Sequence, residues 1–359
     1  MINPDFSKNT IDTLAKRAAY KCSNPDCRVL TIGPNSNPEK STKIGEAAHI
    51  YGARIGSKRY IHKMTDLARA EITNSIWLCR NCHKLIDTDE HKYSANILFA
   101  WREKHEGYIA SSLGNSTDLI LYEEQNSTLI DFNNYSPIIK RIIIDKPDGW
   151  EFRLTAELMR FLNDPLFRKL KDLKKGLYLK PLENIDADQA FNWIQERLVE
   201  LTKISTPAVG LLDSLTKSWG RPGETGDLKE IHHVTKLIKE YLEHVIAFEE
   251  RILFVNVPKE YEKAVHLLQN LIGSQAEKLS IIPLELDAIV SIIQNPQKEN
   301  NIPPIIKKEI IFEIPDSWQK EFNNEITKLR RNSNFTNTKS STGCLVALIM
   351  IIAFIIYIF

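Results

Sequence analysis

The 359 residues, 43% of them hydrophobic, leave room for two domains with buried cores at a rough prior of about 150 residues each, and exclude intrinsic disorder as the main state. The net charge is +1, so any pull on a polyanion must come from a local patch. Residues 1–115 hold 17 basic and 12 acidic side chains and the rest of the chain 30 and 34, which puts the basic surplus in the front third. Five cysteines, two close pairs and Cys344 alone, make no disulfide framework and fit a reducing compartment. The first ten residues, MINPDFSKNT, lack the cationic cluster and apolar core of a secretory signal, which predicts that the bulk of the chain is cytoplasmic.

In chain order, Thr10–Lys21 has the spacing of a short helix, with Ile11, Leu14, Ala15, Ala18 and Ala19 on one face, and it delivers the chain to Cys22. A Gly/Pro/Asn/Ser-rich loop follows Cys27, then the alternating run Ile44–Tyr51 and the stretch Ile76–Leu78 read as strands. CHKLID and ANILFAWREKHEGY predict two helices around a turn, and the first domain is expected to span 1–106. Residues 107–136 read as a linker with one candidate strand at Leu119–Tyr122. A mostly helical second domain with a few strands is expected over 137–330, serving regulation or assembly, with a homo-oligomer as a partner arrangement. It is bracketed by two similar strings, PIIKRIIIDKPDGW and PIIKKEIIFEIPDSW, whose β-branched runs are either paired strands or a coincidence of a common pattern. Its clearest helix runs from Leu228 to about Phe254 with Asp227 as cap; Pro258 starts the next and Gly273 stops it. Trp193 and Trp219 read as core, and His232, His233, His244 and His266 as helix-surface or core residues; no small-molecule site is visible there.

After a polar segment at 331–342, Gly343–Phe359 reads GCLVALIMIIAFIIYIF, seventeen uncharged residues. As a helix it reaches about 25 Å against a hydrocarbon core of about 30 Å. With Lys328, Arg330, Arg331 and Lys339 ahead of it, the expectation is a single C-terminal transmembrane helix anchoring the chain to the cell inner membrane, with the membrane as a partner.

The chemistry is concentrated in the front third. Cys22-x4-Cys27 and Cys79-x2-Cys82, 51 residues apart, offer four thiolates for one tetrahedral zinc, structural because four sulfurs leave no open position. His83 follows the last of these cysteines and Asp87 comes four residues later, one helical turn away on one face, which outlines a divalent-metal site. His49 on a candidate strand supplies a base, and Asn74 an orienting amide; the set suits phosphodiester cleavage.

GEAAHIYGAR, TNSIWLCRNCHKLID and the upstream CSNPDC resemble the HNH endonucleases that carry a ββα-metal core and an extra four-cysteine zinc site, over about residues 8–106. The resemblance implies an α+β N-terminal ββα-metal domain with zinc knuckles. It assigns His49 as the general base, Asn74 as the residue bracing the loop between the strands, and His83 as a ligand of the catalytic metal, with Asp87 where some members place a further ligand. Family members often have Asp or His just before the base, where this chain has Ala48. Glu46 on the face of Ala48, a water, or a weakened site are the alternatives. The implied activity is hydrolysis of DNA to 5′ phosphates with Mg²⁺ or Mn²⁺ favoured and Ni²⁺ or Zn²⁺ possible, in defence against invading DNA. Arg54, Lys58, Arg59, Lys63, Arg69, Arg80 and Lys84 are candidates for phosphate contacts; none of them reads bases, so sequence specificity should be low. Two other readings compete: a non-catalytic zinc module that binds nucleic acid or protein, and an oligomerising protein that disrupts bilayers through its helical part and anchor.

Overall fold

A computed structural model describes residues 3–113, 132–221, 223–294, 312–313, 316–332 and 349–350. Two compact units divide at Trp150/Glu151. In the first, α1 (Lys8–Arg17) precedes the small antiparallel pair β1 (Ile32–Pro34) and β2 (Ser41–Lys43). Then come β3 (Gly45–His49), α2 (Asp66–Ala70), β4 (Ser75–Cys79), α3 (Arg80–Thr88), α4 (Ala95–Ser112) and α5 (Pro137–Asp145). β3 and β4 pair antiparallel, with Glu46 opposite Leu78, Ala48 opposite Ile76 and His49 opposite Ser75.

A two-stranded sheet is marginal alone. This one is covered by α1, whose Leu14, Ala15 and Ala18 bury against Trp77, with Ile11, Tyr20, Ala47 and Ile72 around them. Gly45 is fixed by this packing, because a Cβ there would stand 2.3 Å from the Trp77 ring. α1 stops earlier than its apolar periodicity predicts: Ala19 and Tyr20 take left-handed φ values of 47° and 54°, turning the chain so that the Tyr20 carbonyl accepts from Thr31 N–H and Cys22 N–H donates to Val29.

α4 runs on through Gly107 to Ser112, and 114–131, including the candidate strand Leu119–Tyr122, lie outside the described residues. Residues 137–145 form α5 rather than a strand. Its isoleucines at 138, 139, 142 and 143 are buried on one helical face, and that burial overrides their β-branched preference. α5 is also tied down electrostatically. The buried Asp145 carboxylate takes Arg17 (2.8 Å), Arg102 (3.2 Å) and Arg141, while Glu106 takes the same three guanidiniums at 3.3, 3.1 and 2.8 Å. Burial opposes the Glu106 charge, but the three arginines outweigh it and hold its pKa well below the carboxylate range. Arg102 donates further to the Ile72 and Ser75 carbonyls, joining α4 to the turn that leads into β4.

The second unit contains α6 (Trp150–Lys174, its first residue belonging to the first unit), α7 (Ala187–Ser205), α8 (Pro207–Ser218), α9 (Leu228–Leu253), α10 (Glu262–Leu268), α11 (Leu271–Ala276), α12 (Ile282–Gln294) and α13 (Asp316–Asn332). Asp227 caps α9 by accepting from Lys229 and Glu230 N–H. Gly273 lies inside α11 and does not end a helix; its N–H donates to buried Glu249 at 2.7 Å. Trp193 and Trp219 are buried. A short parallel pair joins Glu183–Asn184 to Val255–Asn256.

Among the described residues the chain is mostly helical with small two-stranded sheets, and no helix is long and apolar enough to cross a membrane. The expected α+β architecture with a C-terminal transmembrane helix is corrected accordingly, and with it the placement at the inner membrane. Within 343–359 the described residues are Ile349–Met350, extended and paired antiparallel with Phe312–Glu313; the rest of that segment lies outside the described residues. β-Branched and apolar runs fit a strand ladder as readily as a helix, and apolarity alone did not separate the two.

Asp145→Ala leaves Arg17, Arg102 and Arg141 to share the single carboxylate of Glu106, two of them buried, and is expected to destabilise the first unit by about 3–5 kcal/mol. Asp12→Ala, which removes a half-exposed partner of Lys43, is expected to change stability by no more than about 1 kcal/mol. Denaturant unfolding of the two variants checks the contrast.

Candidate functional site

Two turns bring the cysteines together. In the first, Cys27 N–H donates to the Asn24 carbonyl at 3.0 Å and Asp26 N–H to the Asn24 side chain, closing a knuckle after Cys22. In the second, Cys79 ends β4 and caps α3, its Sγ accepting from Cys82 N–H at 3.5 Å. The four Sγ atoms of Cys22, Cys27, Cys79 and Cys82 lie within 4.8 Å of one another, with Cys27 and Cys79 3.8 Å apart. A ZnS₄ tetrahedron with bonds of about 2.3 Å has edges of about 3.8 Å, so the donor set fits a metal ion such as zinc in a closed, structural site.

Burial pushes the Cys22 thiol far up and Cys82 to about 11, whereas Cys79 goes down: burial opposes its thiolate, but Cys82 N–H and the neighbouring thiols outweigh that. Cys79 also stands at a helix N-terminus, which favours negative charge. Asn24 Nδ2 donates to Cys82 Sγ at 3.2 Å and so supports a second thiolate.

Immediately beyond the cluster, the first turns of α3 place His83 and Asp87 over Glu46 of β3. His83 Nδ1 donates to Glu46 Oε2 at 2.8 Å, leaving Nε2 as the lone-pair nitrogen of the neutral ring, 3.7 Å from Asp87 Oδ2. That gap is too long for a hydrogen bond and short enough for one divalent ion with bonds of about 2.1 Å to touch both atoms. Glu46 therefore acts from behind the ring, fixing its tautomer and orientation, and does not converge with Asp87 on one point. His83, and then Arg80 at 3.0 Å, hold the Glu46 carboxyl below its ordinary pKa. Asp87 is held in turn by Arg59, whose remaining donors go to the Ile50 and Ile86 carbonyls.

His49 closes β3. Burial lowers its pKa, with Arg54 and His83 acting in the same direction and the Pro4 carbonyl and Asp5 opposing. Asn74, fully buried, pins the backbone just after it: Oδ1 accepts from Tyr51 N–H at 2.8 Å, and Nδ2 donates to the Tyr51 and Arg69 carbonyls at 2.9 and 3.1 Å. Comparison with protein-family models, with curated proteins and with solved structures finds no match.

The basic candidates separate by environment. Arg54, Arg80, Lys58, Lys63 and Lys84 are exposed, the first three paired with Asp5, Glu46 and Glu90 respectively. The Arg59 side chain is 6% exposed, and Arg69 is buried, donating to the Gly52, Ile61 and Met64 carbonyls and lying over Tyr60. Both tie loops together. The sequence reading missed Pro4 and Phe6, which touch His49 from 45 and 43 positions away. It also missed Arg59 as the anchor of Asp87, for which an arginine among other basic residues gives no sequence signal.

Elemental analysis is expected to find one zinc per chain, and none in Cys22→Ala. Removal of the metal by a chelator should melt the first unit, followed by circular dichroism, since four crowded thiols lose the charge that holds them.

Proposed function

We propose that the first unit is a metal-dependent endonuclease of the HNH type, hydrolysing DNA phosphodiester bonds. The observation that carries this reading is the pairing of the His83 Nε2 lone pair with Asp87 Oδ2 at 3.7 Å, oriented by Glu46, on the hairpin-and-helix unit that also carries His49. His83 and Asp87 would hold a divalent ion, which when bound would offset charge on the phosphate and the leaving 3′ oxygen; Mg²⁺ or Mn²⁺ suits the carboxylate, while Ni²⁺ or Zn²⁺ suits the imidazole. The chain's own residues do the rest. His49, kept neutral at pH 7 by its lowered pKa, takes the proton from the attacking water. Asn74 keeps the backbone after His49 in place, and Glu46 and Arg59 hold His83 and Asp87. Exposed Arg54, Lys58, Arg80 and Lys84 contact the DNA backbone, which positions the substrate without reading sequence.

One observation favours a second reading, a non-catalytic zinc module that binds nucleic acid or protein. Among the described residues, the four cysteines are the group of three or more ligands that converge on one point, whereas His83 and Asp87 are two.

The full chain, zinc-loaded, is expected to nick supercoiled plasmid with Mg²⁺ or Mn²⁺, and His49→Ala to lower the rate by about 10²–10⁴-fold. Since the pKa of His49 is depressed below 6.5, its basic form persists as pH falls through that value, so the acid limb of kcat/KM should lie below pH 6.5. No cleavage by the zinc-loaded chain supports the non-catalytic module, whereas cleavage unchanged in His49→Ala rules out His49 as the base.

A further inference from the structure

Three consecutive residues ahead of α1 converge on the base and its loop. The Pro4 carbonyl lies 3.1 Å from His49 Nε2. The Phe6 ring stacks flat on the imidazole, centroids 3.8 Å apart and planes 11° from parallel. Between them, Asp5 pairs with Arg54 at 2.6 Å, fastening the segment to the loop that follows β3. The segment is itself held at both ends. Asp5 N–H donates to the Asn3 side chain, and Ser7 caps α1 by accepting from Thr10 N–H at 3.0 Å, so the strap continues into the helix that packs on Trp77. Proline at position 4 adds a fixed φ and little conformational freedom to lose.

A carbonyl oxygen only accepts, so the hydrogen bond to Pro4 requires the proton on Nε2 and leaves Nδ1 as the basic nitrogen of neutral His49. The stacked phenyl restricts rotation of the ring about its own axis and shields one face from water. Resting on the nuclease reading above, we infer that Pro4–Phe6 is a positioning element of the catalytic base, its carbonyl and its aromatic ring holding His49 in the Nε2–H tautomer with Nδ1 free to take the proton from water. The opposite function for the same contacts, a plug that must leave before the base can work, predicts the reverse sign in every variant.

The experiment uses the full zinc-loaded chain, Phe6→Ala, Phe6→Tyr and a deletion of residues 1–6 that retains the Ser7 cap. Zinc content reports that each variant is folded. Long-range ¹H–¹⁵N correlation on histidine-labelled protein reads the His49 tautomer, and plasmid nicking gives kcat and KM. One hydrogen bond biases the two tautomers by about tenfold, so the deletion should turn a single Nε2–H form into a mixture. Loss of ring placement should lower kcat by about tenfold or more in the deletion and in Phe6→Ala, with KM for DNA unchanged and Phe6→Tyr restoring the rate. A wild-type ring protonated on Nδ1, a deletion that leaves tautomer and kcat as they were, or any rise in kcat overturns the inference. If the wild-type chain does not cut DNA the nuclease reading fails, and the tautomer measurement then decides by itself whether the strap holds His49.

Discussion

Four sulfur atoms from two distant turns must meet at one point, and much of the first unit follows from that requirement. Cys79 is at once the last residue of β4, the cap of α3 and a member of the cluster, so whatever holds the sulfurs also fixes where the helix begins. The raised pKa values of Cys22 and Cys82 show the cost of crowding and burying these groups, which a dication reverses by stabilising the thiolates. His83 comes one residue after Cys82 and Asp87 one turn later, so the sulfur clamp sets the position and direction of both.

The site beside the clamp is layered. His83 takes one carboxylate on each ring nitrogen: Glu46 is bonded to Nδ1, and Asp87 stands off Nε2 at a distance that leaves room for a cation. Glu46 thus works on the imidazole from behind and does not join Asp87 at the second ring nitrogen. A second electrostatic layer lies further out, where Asp145 and Glu106 gather Arg17, Arg102 and Arg141 and connect α1, α4 and α5 to the turn ahead of β4. Rigid support of this kind keeps a small sheet from drifting and gives His49 and His83 a fixed frame.

Much of this was legible in the sequence where spacing carries chemistry. Cys-x4-Cys and Cys-x2-Cys point to one four-sulfur cluster that could hold a metal ion, and the residues after Cys82 place His83 and Asp87 on one helix face. What stayed hidden depends on contacts between distant positions. The strap at Pro4–Phe6 reaches His49 through a backbone carbonyl and a ring, neither of which leaves a pattern in the chain. The paired-strand alternative for the run that forms α5 arose because its isoleucines suggest a strand by type, although their positions at 138, 139, 142 and 143 have the period of a helix. In the apolar run at 343–359 no membrane-crossing helix is found among the described residues, which are Ile349–Met350, paired as a strand; composition alone does not tell an apolar helix from an apolar strand.

The central claim, that four thiolates around one ion organise this unit, is tested most directly by X-ray absorption at the zinc edge on the purified full-length chain. The account predicts a single shell of four sulfurs at about 2.3 Å. A first shell containing nitrogen or oxygen in place of any of the four sulfurs, or a chain that folds without the metal, would contradict it.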